Sequence, residues 1–330
     1  MGTTVFLANP HRWLYDRLTE CAVLDEDVIL TENRRNAEVI VYPSPPWPDP
    51  EARDLLKTFR PRDLRRTYVC SQHDVPLPWA PGMYASLPAS RARPGFTGGF
   101  YVAHHHREPG GIGDDLEAAR DYEPHILWSF MGTFSNAPVR RRLAEINDPD
   151  GLVQDTQYFS DVIRWHWAET HRVEGREAFA SYAESLGRSA FVLCPRGCGP
   201  ASIRLFEALQ VGRCPVIISD EWLPPPFVDW NSCTIRVPEA RVQELPAILR
   251  ERHDEAAQLG REARKVWERF FAPEHQLRTI IRAAVLTDSS APRRVRDFGA
   301  WLAQPETSLH AIRQARRRAR QLVRAARLST

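Results

Sequence analysis

Apolar residues in this chain come in short unbroken runs, separated by longer stretches where they recur every three or four positions. TTVFLANP (3–10) is such a run and closes in a turn; HRWLYDRLTECAVL (11–24) has the spacing of a helix that packs on it. AEVIVYPSPPWPDP (37–50) is a second strand that stops where the prolines begin, since proline cannot continue a sheet ladder. EARDLLKTF (51–59) reads as a short amphipathic helix and RTYVCSQHD (66–74) as a third strand with polar residues at its carboxyl end. Alternation of this kind predicts a parallel α/β sheet.

Between residues 75 and 125 the pattern gives way to a proline- and glycine-rich stretch, expected to be a long surface loop with one strand near Phe100–Ala103. HILWSFMGTFS (125–135) begins afresh as strand and turn, followed by the helix APVRRRLAEI (137–146). EAFASYAESLGRS, AFVLCP, SIRLFEALQVG and CPVIISD then alternate helix, strand, helix, strand, and residues 239–271 continue as helices. The expected division is a first α/β domain over 1–125, a second over 126–290 and a basic helical tail over 291–330. No internal repeat of about 20–50 residues is evident, although the two α/β halves are similar in size.

Hydrophobic residues make up 43% and charged residues 26% of the 330, enough to bury a substantial core. A net charge of +2 offers no whole-molecule attraction to nucleic acid or membrane. The six cysteines form no CxxC pair and stand at no zinc-finger spacing from a histidine. The N-terminus lacks a signal-peptide pattern, and no run approaches the roughly 20 apolar residues that span a bilayer. The expected setting is reducing and cytoplasmic, with free thiols.

In CPRGCGPASIRLFEALQVGRCPVIISDEW (194–222) a glycine-broken loop leads from strand to helix. Gly197 and Gly199 are expected to adopt backbone conformations closed to other residues, and Pro200 to open the first helical turn, with Ala201 and Ser202 behind it. Such a helix start presents free N–H groups and a positive dipole end, which suits a phosphate or diphosphate. Arg196 and Arg204 would add charge-assisted bonds, and Glu207 would accept from a ribose diol. Spacing alone equally allows an ordinary βαβ unit in which Arg204 and Glu207 form an i,i+3 ion pair. Neither the dinucleotide nor the Walker fingerprint occurs.

The segment FVLCPRGCGPASIRLFEALQVGRCPVIISDEWLPPPFVDWN resembles the signature of the exostosin family of glycosyltransferases. There an FCLCPRG strand leads to an S-x-R-x-x-EAL helix, then to G-x-x-PVI-x-SD-x-W, LPF and DW. VPEARVQELPAIL is similar to the family's VPE…ELP continuation, and HILWSFMGTFSNAPVRRRL, more loosely, to its F-x-G…R segment. The resemblance implies a GT-B architecture, two Rossmann-like domains facing across a cleft, the second holding a nucleoside-diphosphate sugar. Carried over position by position, it makes Arg196, Gly197, Gly199, Ser202, Arg204 and Glu207 contacts of the donor nucleotide. Ser219, Asp220 and Glu221 would face the sugar or its leaving diphosphate. Gly132, Ser135 and Arg140 would reach the diphosphate from the turn opening the second domain, or else form a glycine turn and a solvated basic helix face.

The family resemblance also implies inversion at the anomeric carbon, hence a general base in the first domain and positive charge for the departing phosphates. Asp74 is the expected base and His11 the second choice; His73 and His104, His105 and His106 also stand after a strand or in the long loop. Asp25–Glu26–Asp27 and Asp148–Pro149–Asp150 have the letters of a metal-binding pair but read as polar turns. Adjacent side chains in an extended loop would point in different directions, so His104, His105 and His106 are not expected to ligate one ion. No obligatory metal or cofactor is therefore expected, with arginine taking the metal's part.

The basic tail SLHAIRQARRRARQLVRAARLST places Ile312, Ala315, Ala319, Leu322, Val323 and Ala326 near one face of a helix. This suits either peripheral contact with an anionic membrane surface or packing on the protein itself. Without interleaved aromatics it does not read as a nucleic-acid partner. The function expected is a cytoplasmic glycosyltransferase moving a sugar from a UDP-sugar to a glycan or lipid-linked glycan acceptor. The alternatives are a non-catalytic glycan- or nucleotide-binding protein on the same fold, or another GT-B enzyme such as an epimerase.

Overall fold

A computed structural model describes residues 2–8, 12–44, 63, 66–74, 81–92, 95–102, 112–156 and 172–286. His11, His104–His106, the helix expected over 51–59 and the tail lie outside the described residues. Strands β1 (Thr3–Leu7), β2 (Val28–Leu30), β3 (Val39–Ser44), β4 (Thr67–Ser71), β5 (Gly82–Tyr84) and β6 (Phe96–Gly98) form one sheet in the order β2-β1-β3-β4-β5-β6. Strands β7 (Ile126–Met131), β8 (Gly151–Gln154), β9 (Ser189–Pro195), β10 (Cys214–Ile218) and β11 (Ile235–Arg236) form a second, in the order β11-β10-β9-β7-β8. Every ladder in both sheets is parallel. In each sheet the strand order reverses beside the first strand, so each is doubly wound with a switch point, between β1 and β3 and between β7 and β9.

The helices are α1 (Arg12–Leu24), α2 (Ile112–Ala118), α3 (Pro138–Leu143), α4 (Arg172–Gly187), α5 (Ile203–Val211), α6 (Leu245–Glu251), α7 (Ala256–Val266) and α8 (Pro273–Leu286). The central strands are covered on both faces, which is why they read as continuous apolar runs. In β9, Phe191 and Leu193 pack with α3, α6 and α7, while Val192 and Cys194 face the opposite core beside α5. None of the described helices is long and apolar enough to cross a membrane.

Two such units form the GT-B architecture that the family resemblance implies. They are joined by more than a linker. Residues just beyond the carboxyl ends of β5 and β10 pair as a short antiparallel bridge, Pro88 with Trp222, and Ala89 N–H donates to the Glu221 carbonyl at 2.8 Å. Helix α8 returns to pack on α1, where Arg278 pairs with Asp25 and Asp27. One continuous apolar core, containing Phe100, Phe206 and Phe271, runs through both units.

The stretch from 75 to 125 differs from the expected loop. It contains β5, β6 and α2, and the strand expected near Phe100–Ala103 lies instead at Phe96–Gly98. Strands of three residues, buried on both faces, are too short to show a period. β2, β8 and β11, of two to four partly exposed residues, are likewise too short to show a period, and α8 continues the helical region beyond residue 271.

Candidate active site

β9 ends at Pro195, and residues 196–202 lead into α5 with Ser202 at the N-cap position. Residues Arg204 through Val211 are all buried, so a helix with an arginine and a glutamate among its apolar positions is covered on every side. Gly212 ends it in a left-handed conformation (φ 74°), returning its N–H to the helix carbonyls. Arg204 donates to the Met131 carbonyl at the end of β7 and lies over the Phe130 and Tyr182 rings, 4.5 and 5.6 Å from their centroids. Glu207 accepts from the Tyr182 hydroxyl, so a tyrosine bridges the two residues instead of an i,i+3 ion pair.

Arg140 of α3 is buried near Arg204 and also lies over the Phe130 ring, 5.4 Å from its centroid. It donates to three backbone carbonyls: Arg196 (2.8 Å), Pro195 (3.2 Å) and Thr133 (3.3 Å). Burial, and then the charge of Arg204, lower its pKa to about 10. Neither guanidinium forms an ion pair with a carboxylate among the described residues. Arg204 Nε, Ser202 Oγ and Ser219 Oγ are buried with no hydrogen-bond partner among them. Unpaired buried charge and donors are costly, and these stand at the carboxyl ends of β9 and β10 beside the switch point of the second sheet, an arrangement with the chemistry to hold an anion. Gly132 adjoins the pair, since a Cβ there would lie 2.7 Å from Arg204 Nη2.

Arg196 is held differently. Its Nε donates to Glu239 Oε1 at 2.7 Å, and Glu239 also accepts from Asp220 N–H (3.4 Å), while its own N–H donates to the Asp220 carboxylate (3.0 Å). The carboxyl ends of β9 and β10 are thus tied together by a residue from the turn at 239–244. Glu221 turns to the first unit, accepting from Ser90 N–H at 3.3 Å. Ser135 is exposed in a short helical turn after β7.

Across the junction, the segment after β4 brings Asp74 directly over the loop. A Cβ at Gly199 would land on the Asp74 carbonyl oxygen and the Ser86 hydroxyl, so only glycine permits this approach. Neither Gly197 nor Gly199 has a positive φ. Glycine serves here for closeness, not for the unusual backbone angles expected. Pro200 precedes the N-cap and does not open the first turn. Nor is the helix start an open cradle: Gly199 through Ser202 are buried and Ala201 N–H already donates to Ser86 Oγ at 3.1 Å. The loop's more accessible residues are Arg196 and Cys198. The Asp74 carboxylate accepts from Tyr101 Oη at 2.9 Å, and its charge is felt at Arg140.

The fold therefore gathers the expected residues at the carboxyl ends of β7, β9 and β10, with Asp74 facing them. The sequence reading did not single out Phe130, Tyr182, Glu239, Ser86 and Tyr101. Glu239 lay in the VPE motif, and the last two fell in the stretch read as a loop. The two aspartate pairs are taken by arginines: Arg250 pairs with Asp148 and Asp150, and Arg278 with Asp25 and Asp27.

Residues 86–252 match the model of the Exostosin GT47 domain, half of the chain. The chain belongs to this family. The exostosin match takes in Ser86, Tyr101 and the whole arginine cluster, and begins after Asp74. Among curated relatives, the Exostosin-1 homolog of Caenorhabditis elegans is 35% identical over 109 residues, 31% of this chain and 28% of that protein. The probable glucuronoxylan glucuronosyltransferase IRX7 of Arabidopsis thaliana is 43% identical over 76 residues, 22% of this chain and 17% of its own length. Exostosin-1b of Danio rerio is 28% identical over 127 residues, 38% of this chain and 17% of the relative. These matches span well under a third of the relatives' lengths. The solved structure of TarM aligns with 83% of the chain and 58% of its own at 9% identity and a TM-score of 0.36.

Proposed function

We propose that the protein is an inverting glycosyltransferase that moves a sugar from a UDP-sugar to a glycan or lipid-linked glycan. The observation that carries this reading is the buried pair Arg140 and Arg204, with no carboxylate partner among the described residues, facing Asp74 across the junction. In this reading the diphosphate lies against the two guanidiniums and the free hydroxyls of Ser202 and Ser219. Tyr182 takes one oxygen of Glu207 and leaves the other for the ribose hydroxyls. Asp74 removes the proton of the acceptor hydroxyl, whose oxygen attacks the anomeric carbon as the bond to the diphosphate breaks on the opposite side. The arginines stabilise the charge that develops on the leaving group, so transfer needs no divalent ion. The tail's arginines and apolar stripe support a peripheral contact with an anionic membrane, where a lipid-linked acceptor would be met.

The test combines thermal shifts with UDP-, GDP- and CDP-sugars and measurement of nucleotide release in the presence of EDTA. Uridine compounds should stabilise the protein most, and Asp74→Asn should keep that stabilisation while losing turnover. A preference for another nucleotide would overturn the donor assignment, and turnover in Asp74→Asn would overturn the base.

A further inference from the structure

The hydrogen bonds at the junction form one chain from the donor loop to the proposed base. Ala201 N–H donates to Ser86 Oγ at 3.1 Å, the Ser86 hydroxyl bonds Tyr101, and Tyr101 Oη donates to Asp74 Oδ1 at 2.9 Å. Ser86 is fully buried, and Tyr101 is 3% exposed. The Tyr101 ring stands edge-on to Phe206 of α5, with centroids 6.4 Å apart. Its direction is therefore set by the same helix that carries Arg204.

We propose that Tyr101 is the positioning residue that aims the Asp74 carboxylate, and that Ser86 ties this pair to the start of α5, so that donor loop and base move together. The proposal rests on the reading of Asp74 as the base. It adds a direction of coupling: a donor seated on the arginine cluster bears on α5, and Ser86 and Tyr101 pass that restraint to the carboxylate. Burial, and then the charge of Asp74, push the Tyr101 phenol well above its ordinary pKa, so it remains a donor across the working range. Arg140 and Cys198 of the second unit also face this pair, and His73 adjoins Asp74 in the chain.

Tyr101→Phe keeps the ring and removes only the hydroxyl, which donates to Asp74 and bonds Ser86. The readout is steady-state transfer with UDP-sugars beside the thermal shift produced by UDP, which Tyr101→Phe should leave unchanged. Kcat should fall about tenfold or more, while KM for the donor stays within about twofold. Ser86→Ala, which leaves Tyr101 in place, should lower kcat by a smaller factor, again with little change in KM for the donor. An unchanged kcat in folded Tyr101→Phe, or a donor KM that rises as much as kcat falls, overturns the proposal while leaving the base intact. Turnover retained in Asp74→Asn removes the base, and the proposal with it.

Discussion

Arg140 and Arg204 share one phenyl ring and, among the described residues, hydrogen-bond only to backbone carbonyls, a cost that folding alone gives no reason to retain. Replacing a buried charge by an apolar side chain of similar length is often close to neutral for stability. Arg204→Met should therefore stay within about 1 kcal/mol of the natural protein in urea unfolding without nucleotide. The thermal shift produced by UDP should vanish in the same variant. A variant that unfolds readily but still responds to UDP would make Arg204 a structural residue. The arginine itself was legible from the S-x-R-x-x-EAL pattern. Arg140 was legible from the looser F-x-G…R resemblance, with a solvated helix face as the alternative; its burial beside Arg204, 64 residues further on, follows only when β7 and β9 pair.

At the scale of elements, the turn between α3 and β8 is secured by Asp148, which accepts from Trp128 Nε1 at 3.0 Å and from Arg250 of α6. Burial alone would raise its pKa, but the bonds from Trp128, the Asp150 N–H and Arg250 outweigh it and hold the carboxyl below its ordinary 3.8. The stabilisation is complete above pH 3.8 and is lost as the pH falls through the lower folded value. Asp148→Asn should thus flatten the decline of stability on acidification below that pH, measured by urea unfolding from pH 5 to pH 2. An unchanged slope would show that the pairing does not stabilise the turn. The sequence shows Asp148 and Asp150 as a polar turn, while the partners that hold them come from β7 and α6.

For the whole molecule, Phe271 decides how independent the two units are. Its ring lies 5.1 Å from Phe100 of the first unit and 5.2 Å from Phe206 of the second. Phe271→Ala should cost about 3–5 kcal/mol. Far-ultraviolet dichroism and tryptophan fluorescence should still report one coincident transition. Two separable transitions would mean that the units fold independently despite their shared core. The cleft expected between two separate domains is, on this side, a continuous packing of aromatic rings.

The amino-acid sequence by itself determined the alternation of buried strand and helix, the glycine loop before α5 and the family signature around it. Each is written within about ten to forty neighbouring residues, where burial on one or both faces sets the spacing of apolar positions. Tertiary structure alone decided that Asp74 roofs Gly199, that Arg196 is held by Glu239 43 positions away, and that Ser86 and Tyr101 connect the loop to the carboxylate. Those contacts depend on how two sheets approach through their carboxyl ends, a distance set by packing across the whole core and not by any local period.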